Sequence, residues 1–81
     1  MIIKIFTRPG CMGCKQEKRL LGEKGISFEE IDISTPEGEA LAATGVTMLP
    51  VTQILSDEGV LHQQFVGFRP DEIFKAIKNF A

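Results

Sequence analysis

Ile2-Ile3-Lys4-Ile5-Phe6-Thr7-Arg8-Pro9-Gly10-Cys11-Met12-Gly13-Cys14 is the stretch that decides how this chain is read. Residues 2–6 form a short, apolar, β-branched run, which predicts a buried strand. Arg8-Pro9-Gly10 reads as a turn. A helix is expected from near Cys11 to about Lys24, with Gly25 placed to end it. Its apolar face (Cys14, Leu20, Leu21) is sparse, and Gly13 and Gly22 weaken it. Two cysteines three residues apart therefore fall where a strand gives way to a helix, on one turn, so that their sulfurs can meet. Free backbone N–H groups and the positive dipole end at a helix N-terminus favour a thiolate, the species that attacks disulfides. Cys11 is thus the expected nucleophile and Cys14, one turn inward, the expected resolving thiol. Arg8, Lys15 and Lys18 would add positive potential. CxxC between a strand and a helix reads as redox chemistry.

Working outward, Phe28, Ile31 and Ile33 mark a second strand over 28–33. Ser34 and Glu37 have capping-box spacing with Pro36 in the first turn, so a short helix should follow and stop at Gly45. Residues 51–55 and 60–66 read as two strands joined by the hairpin turn Ser56-Asp57-Glu58-Gly59. Pro70, Asp71 and Glu72 open a last helix whose apolar face is Ile73, Phe74, Ile77 and Phe80. The order β-α-β-α-β-β-α implies an α/β fold: one four-stranded mixed sheet, three helices on its two faces, and a single domain over 1–81.

The 81 residues are 43% hydrophobic and 25% charged, an ordinary globular balance. With no Trp or Tyr, the core must rest on six Phe and the aliphatics. The two cysteines allow one bridge, over a loop too short to stabilise the fold much. The net charge of −2 hides an asymmetry. Residues 1–24 carry six basic and two acidic side chains, while residues 25–59 carry seven acids and no Lys or Arg. The basic block surrounds both cysteines. Nucleic-acid binding is disfavoured, because there is no overall positive charge and no interleaving of aromatic and basic residues. Met1-Ile2-Ile3, broken by Lys4, is too short for a signal peptide or membrane span, so a cytoplasmic protein is expected, in a compartment where the bridge would be transient. A zinc site needs four ligands, and His62 alone could join the cysteines. A metal or cluster shared between two chains stays open as an alternative. His62 reads as a strand residue with a solvated ring. Thr47-Met48-Leu49-Pro50 precedes a strand, where a proline's missing N–H costs the sheet nothing; trans is the commoner state of such a bond.

Taken together, the strand ending at Thr7, the CxxC opening a helix and Met48-Leu49-Pro50 before a strand resemble the thioredoxin superfamily, over essentially the whole chain. The short start, without an extra strand and helix, is similar to glutaredoxins. The resemblance implies that Pro50 is cis and faces the CxxC, and that the Leu49 backbone pairs with an incoming substrate segment. Phe65-Val66-Gly67-Phe68-Arg69-Pro70-Asp71 resembles the W-S-G-F-R-P-D stretch of NrdH-redoxins, matching from Gly67 to Asp71. Phe65 and Val66 depart from it, and Met12-Gly13 departs from that family's Val-Gln. The resemblance implies a dithiol electron carrier with no bound cofactor. Its redox-active Cys11–Cys14 disulfide would be reduced from NADPH through thioredoxin reductase and would serve ribonucleotide reductase or other protein disulfides. It further implies substrate contacts from Arg8, Met12, Met48, Leu49, Pro50, Gly67 and Phe68. Glutathione is the disfavoured reductant, because Phe68 should obstruct its groove and Arg69 and Pro70 cannot supply its acidic contacts. A glutathione-dependent glutaredoxin is the alternative, and a monomer is expected.

Overall fold

Alternation along the first strand sorts the molecule into two layers around a sheet. The computed structural model describes residues 1–80. It contains β1 (Ile2–Thr7), α1 (Met12–Glu23), β2 (Glu29–Asp32), α2 (Pro36–Ala42), β3 (Val51–Leu55), β4 (Leu61–Val66) and α3 (Pro70–Phe80). The strands lie in the order β2-β1-β3-β4. β1 and β2 are parallel, β1 and β3 antiparallel, and β3 and β4 antiparallel. This is the thioredoxin-like fold expected from the sequence, with a four-stranded mixed sheet and three helices.

Register assigns the faces. Ile3 opposes Ile54 and Ile5 opposes Thr52, so these four point to one side, with Thr7. α1 buries Cys14, Glu17 and Leu21 against that side, and α3 buries Ile73 there. Phe6 opposes Val51 on the other side, where both join Leu41 of α2 in a core cluster. Ile31, Ile33, Val46, Leu49 and Val66 pack around that cluster. Burying each such side chain is worth about 1.5–3 kcal/mol.

The helix ends follow from local chemistry. Gly25 takes φ +69, which lets its N–H reach the Gly22 carbonyl at 3.0 Å and the Ile26 N–H reach the Leu21 carbonyl at 2.9 Å. α2 corrects one expectation. Its cap is Thr35, whose hydroxyl accepts from the Gly38 N–H at 3.1 Å, not Ser34. Pro36 takes the first helical position, so the capping oxygen must come from the residue directly before it. Ser34 instead donates its N–H and hydroxyl to Asp32, and these bonds hold the Asp32 carboxyl below its usual range. Glu37 is left for an ion pair with Lys4 at 2.6 Å. β2 and β4 are shorter than the strands expected over 28–33 and 60–66. The Leu49–Pro50 bond is cis, so the preference of isolated X–Pro bonds is overridden here.

Candidate active site

The Arg8-Pro9-Gly10 turn, closed by the Cys11 N–H on the Arg8 carbonyl at 3.4 Å, delivers the chain to α1 with Cys11 as the capping residue. Cys11 is partly exposed, whereas Cys14, in the first turn, is 2% exposed. The two are joined as a disulfide with Cα atoms 5.3 Å apart. The Cys14 backbone N–H also points at the Cys11 sulfur, 3.2 Å away. A free helix-end donor thus meets the outer sulfur, the arrangement that favours a thiolate there after reduction.

Several residues expected at the site converge around Gly13. A Cβ built on Gly13 would stand 3.3 Å from Pro50 Cδ and 3.5 Å from Phe68 Cβ. The cis-proline segment and the segment after β4 therefore both abut the first turn of α1. They are also tied to one another, because the Gly67 N–H donates to the Pro50 carbonyl at 2.8 Å. Gly67 is buried at φ +89, and a Cβ on it would stand 3.0 Å from the Met48 sulfur. Glycine is required there both for the backbone angle and for the close approach. Met12, next to Cys11 in the chain, and Met48, against Gly67, are left 68% and 58% exposed. The Leu49 side chain turns away to pack on the Phe6–Leu41–Val51 cluster.

On another side, Arg8, Lys15 and Lys18 line a concavity of about 170 Å³ that also includes both cysteines, Thr7, Glu30 and Asp32. The charges here differ from those expected. Lys18 is paired with Glu30 at 2.7 Å, and the Thr7 hydroxyl donates to the same carboxylate oxygen at 2.8 Å. These partners, Lys18 foremost, hold the Glu30 carboxyl below its usual range. Much of the positive potential expected from Lys18 is thereby neutralised. Arg8 and Lys15 carry the rest, and among the described residues neither is in an ion pair.

One residue was not foreseen. Glu17 lies one turn beyond Cys14, is 2% exposed, and accepts a hydrogen bond from the Thr52 hydroxyl. Burial pushes its carboxyl above the usual range, against the opposing pull of that bond. Helical phase from Cys14 to Leu21 passes through position 17, so its inward direction was legible, although a glutamate there reads as solvated. His62 is exposed on β4, edge-on to Phe80 at 4.8 Å, and away from the cysteines. Among the described residues no cluster of His, Cys, Asp or Glu is placed to hold a metal ion, and no helix is long and apolar enough to cross a membrane.

Comparison with known proteins agrees with this geometry. A family model described as glutaredoxin matches residues 3–52. The chain is 41% identical over 75 residues to the glutaredoxin-like protein NrdH of Escherichia coli (strain K12), covering 90% of this chain and 85% of that one. It is 39% identical over 77 residues to the SPbeta prophage-derived thioredoxin-like protein YosR of Bacillus subtilis, covering 95% and 94%. Among solved structures, the Escherichia coli NrdH-redoxin, a glutaredoxin-like protein with a thioredoxin-like activity profile, matches with a TM-score of 0.74 at 40% identity over 93% of each chain. A Schistosoma mansoni thioredoxin matches with a TM-score of 0.79 over 99% of this chain and 78% of its own, at 20% identity, which shows the fold alone.

Proposed function

Since the chain belongs to the glutaredoxin family, as a thiol–disulfide oxidoreductase of the NrdH-redoxin type, we propose that it works as a dithiol electron carrier reduced by thioredoxin reductase. In the reduced protein the Cys11 thiolate attacks a disulfide of a partner protein, releasing one partner thiolate and leaving Cys11 in a mixed disulfide. Cys14 then attacks the Cys11 sulfur, expels the second partner thiolate and closes the Cys11–Cys14 bond. Two electrons pass from the pair of cysteines to the partner. The reductase returns them from NADPH, so the carrier itself holds no organic cofactor. Its substrates are ribonucleotide reductase or other disulfide-bearing proteins of the cytoplasm, and it acts as a monomer.

The observation that carries this reading is the packing of Phe68 against Gly13, beside the disulfide, with Gly67 fixed behind it. A phenylalanine in that place, its Cβ against the first turn of α1, disfavours a small tripeptide as the donor. A protein partner can instead lay an extended segment along Met48, Leu49 and Pro50, with Met12 and Met48 adapting to its side chains and Arg8 contributing charge.

The deciding experiment is NADPH oxidation with insulin as acceptor, run in parallel with thioredoxin reductase and with glutathione plus glutathione reductase. Turnover with thioredoxin reductase is the expected result. Turnover confined to the glutathione system would replace this reading with that of a glutathione-dependent glutaredoxin. Stoichiometric iron bound through Cys11 in anaerobically purified protein would replace it with a cluster-binding module.

A further inference from the structure

Glu17 is a charged residue in the least hospitable place the molecule offers. Its Oε2 accepts from Thr52, and its Oε1 is buried with no hydrogen-bond partner. An unpartnered buried carboxylate oxygen costs about 1–3 kcal/mol. Yet packing alone would be served by any apolar residue at this point of α1. The position suggests what the acid does. Cys14 and Glu17 are three residues apart on the buried face of one helix, and helical side chains lean toward the preceding turn. That lean carries the Glu17 carboxyl toward Cys14. In the oxidised state the Cys14 sulfur is bonded to Cys11 and has no proton to share. After reduction it carries a proton again.

We propose that Glu17 is the proton acceptor for Cys14 in the resolving step, with Thr52 fixing the carboxylate in place. The proposal rests on the dithiol reading above. In the mixed disulfide on Cys11, the Cys14 S–H proton moves to the Glu17 carboxylate. The resulting thiolate forms a bond to the Cys11 sulfur, and the Cys11–partner S–S bond breaks. The partner leaves as a thiolate, and the proton stays on Glu17 until it is released to solvent. When a reductase opens the disulfide in the reverse sense, the protonated Glu17 returns the proton to the departing Cys14 thiolate. Cys14 is buried and sits inside the first turn, so it depends on an internal acceptor far more than the partly exposed Cys11 does.

The surroundings isolate this pair. On its side of the sheet, β1 and β3 present Ile3, Ile5, Thr7, Thr52 and Ile54, none of which titrates near neutrality. On α1 the neighbouring charge is Lys18, and on β2 it is Glu30; these two are bound to one another. α3 buries Ile73. Burial keeps the Glu17 carboxyl above its usual range, which makes it a stronger proton acceptor than an exposed carboxylate.

The test mixes the reduced protein rapidly with insulin, quenches with acid between pH 5 and 9, and follows the mixed disulfide by mass. Glu17→Gln keeps the shape and the Thr52 contact while removing the base. It is expected to slow resolution about tenfold or more near pH 7, so that the Cys11 adduct accumulates. The difference should narrow toward pH 9, where hydroxide competes as an acceptor for the Cys14 proton. Alkylation of Cys11 by iodoacetamide should stay within twofold. Thr52→Val, which removes the bond that lowers the carboxyl, should move the pH profile of resolution upward. Resolution at the wild-type rate in Glu17→Gln, or a slowing that is the same at every pH, would overturn the proposal. If Glu17→Gln fails to fold, an unshifted profile in Thr52→Val does so alone. Wild-type protein that forms no adduct on Cys11 would instead sink the dithiol reading.

Discussion

Gly38 of α2 packs directly on the backbone of Ile33, so closely that a Cβ at Gly38 would lie 2.5 Å from the Ile33 Cα and 2.5 Å from the Asp32 carbonyl oxygen. These are backbone atoms and cannot swing aside. Gly38→Ala must therefore lift α2 from the corner where β2 ends, at about 2 kcal/mol or more. Urea unfolding should show a lower midpoint. An unchanged midpoint would mean that α2 is not seated as described.

The disulfide makes the two cysteines unequal, one at the surface and one inside. Cys11→Ser should abolish disulfide reduction. Cys14→Ser should still attack but should stop at the mixed disulfide, seen as a covalent adduct by mass spectrometry. Adducts formed through Cys14 in the Cys11→Ser protein would reverse the assignment.

Stability should respond to Glu17 with a defined sign. Its folded-state carboxyl titrates above the unfolded value of about 4.5, so its contribution is intact below that pH. The contribution is lost as pH rises toward the folded value, because the unfolded chain then releases the proton more readily. Glu17→Gln should accordingly be the more stable protein at pH 7, by about 1–3 kcal/mol, and the gap should shrink by pH 4. Thermal melts at the two pH values check this. A gap of equal size at both would exclude the buried charge as its cause.

Glu30 has the opposite sign. Its lowered carboxyl contributes stability above its unfolded value of about 4.5, and this is lost as pH falls through the folded value. Lys18→Met removes the first cause of that shift and should soften the acid limb of the stability curve. The pair is solvent-facing, so the change is at most about 1 kcal/mol. An acid limb as steep as that of the wild type would show the pair to be inert.

Phe68, whose Cβ lies against the first turn of α1, is the residue proposed to keep a tripeptide from the disulfide. Phe68→Gly should raise the rate with glutathione and glutathione reductase several-fold and leave Cys11 alkylation unchanged. No gain in the glutathione assay would show that the ring is not the obstacle.

The four-stranded mixed sheet with three helices was legible because the apolar runs at 2–6 and 51–55, with turn residues between elements, set the element order; the strand order β2-β1-β3-β4 and the facing of each side chain came only with the pairing register. The cysteine pair was legible because its spacing and its place at a helix start are local facts. The cap of α2 was misread because Ser34 and Thr35 both suit the role, and only the geometry around Pro36 separates them. The pairing of Lys18 with Glu30 joins residues twelve apart on a helix and a strand, and no local pattern encodes it. Glu17 was missed because a glutamate on a helix belongs at the surface by every average. Its burial depends on Thr52, thirty-five residues away.

The bond from Cys11 to Cys14 crosses the boundary between solvent and interior. On the dithiol reading this makes traffic one-way in space: a partner meets the outer sulfur first, and the inner sulfur meets only its own neighbour. A disulfide partner would then lodge at a single address, within reach of the group that evicts it.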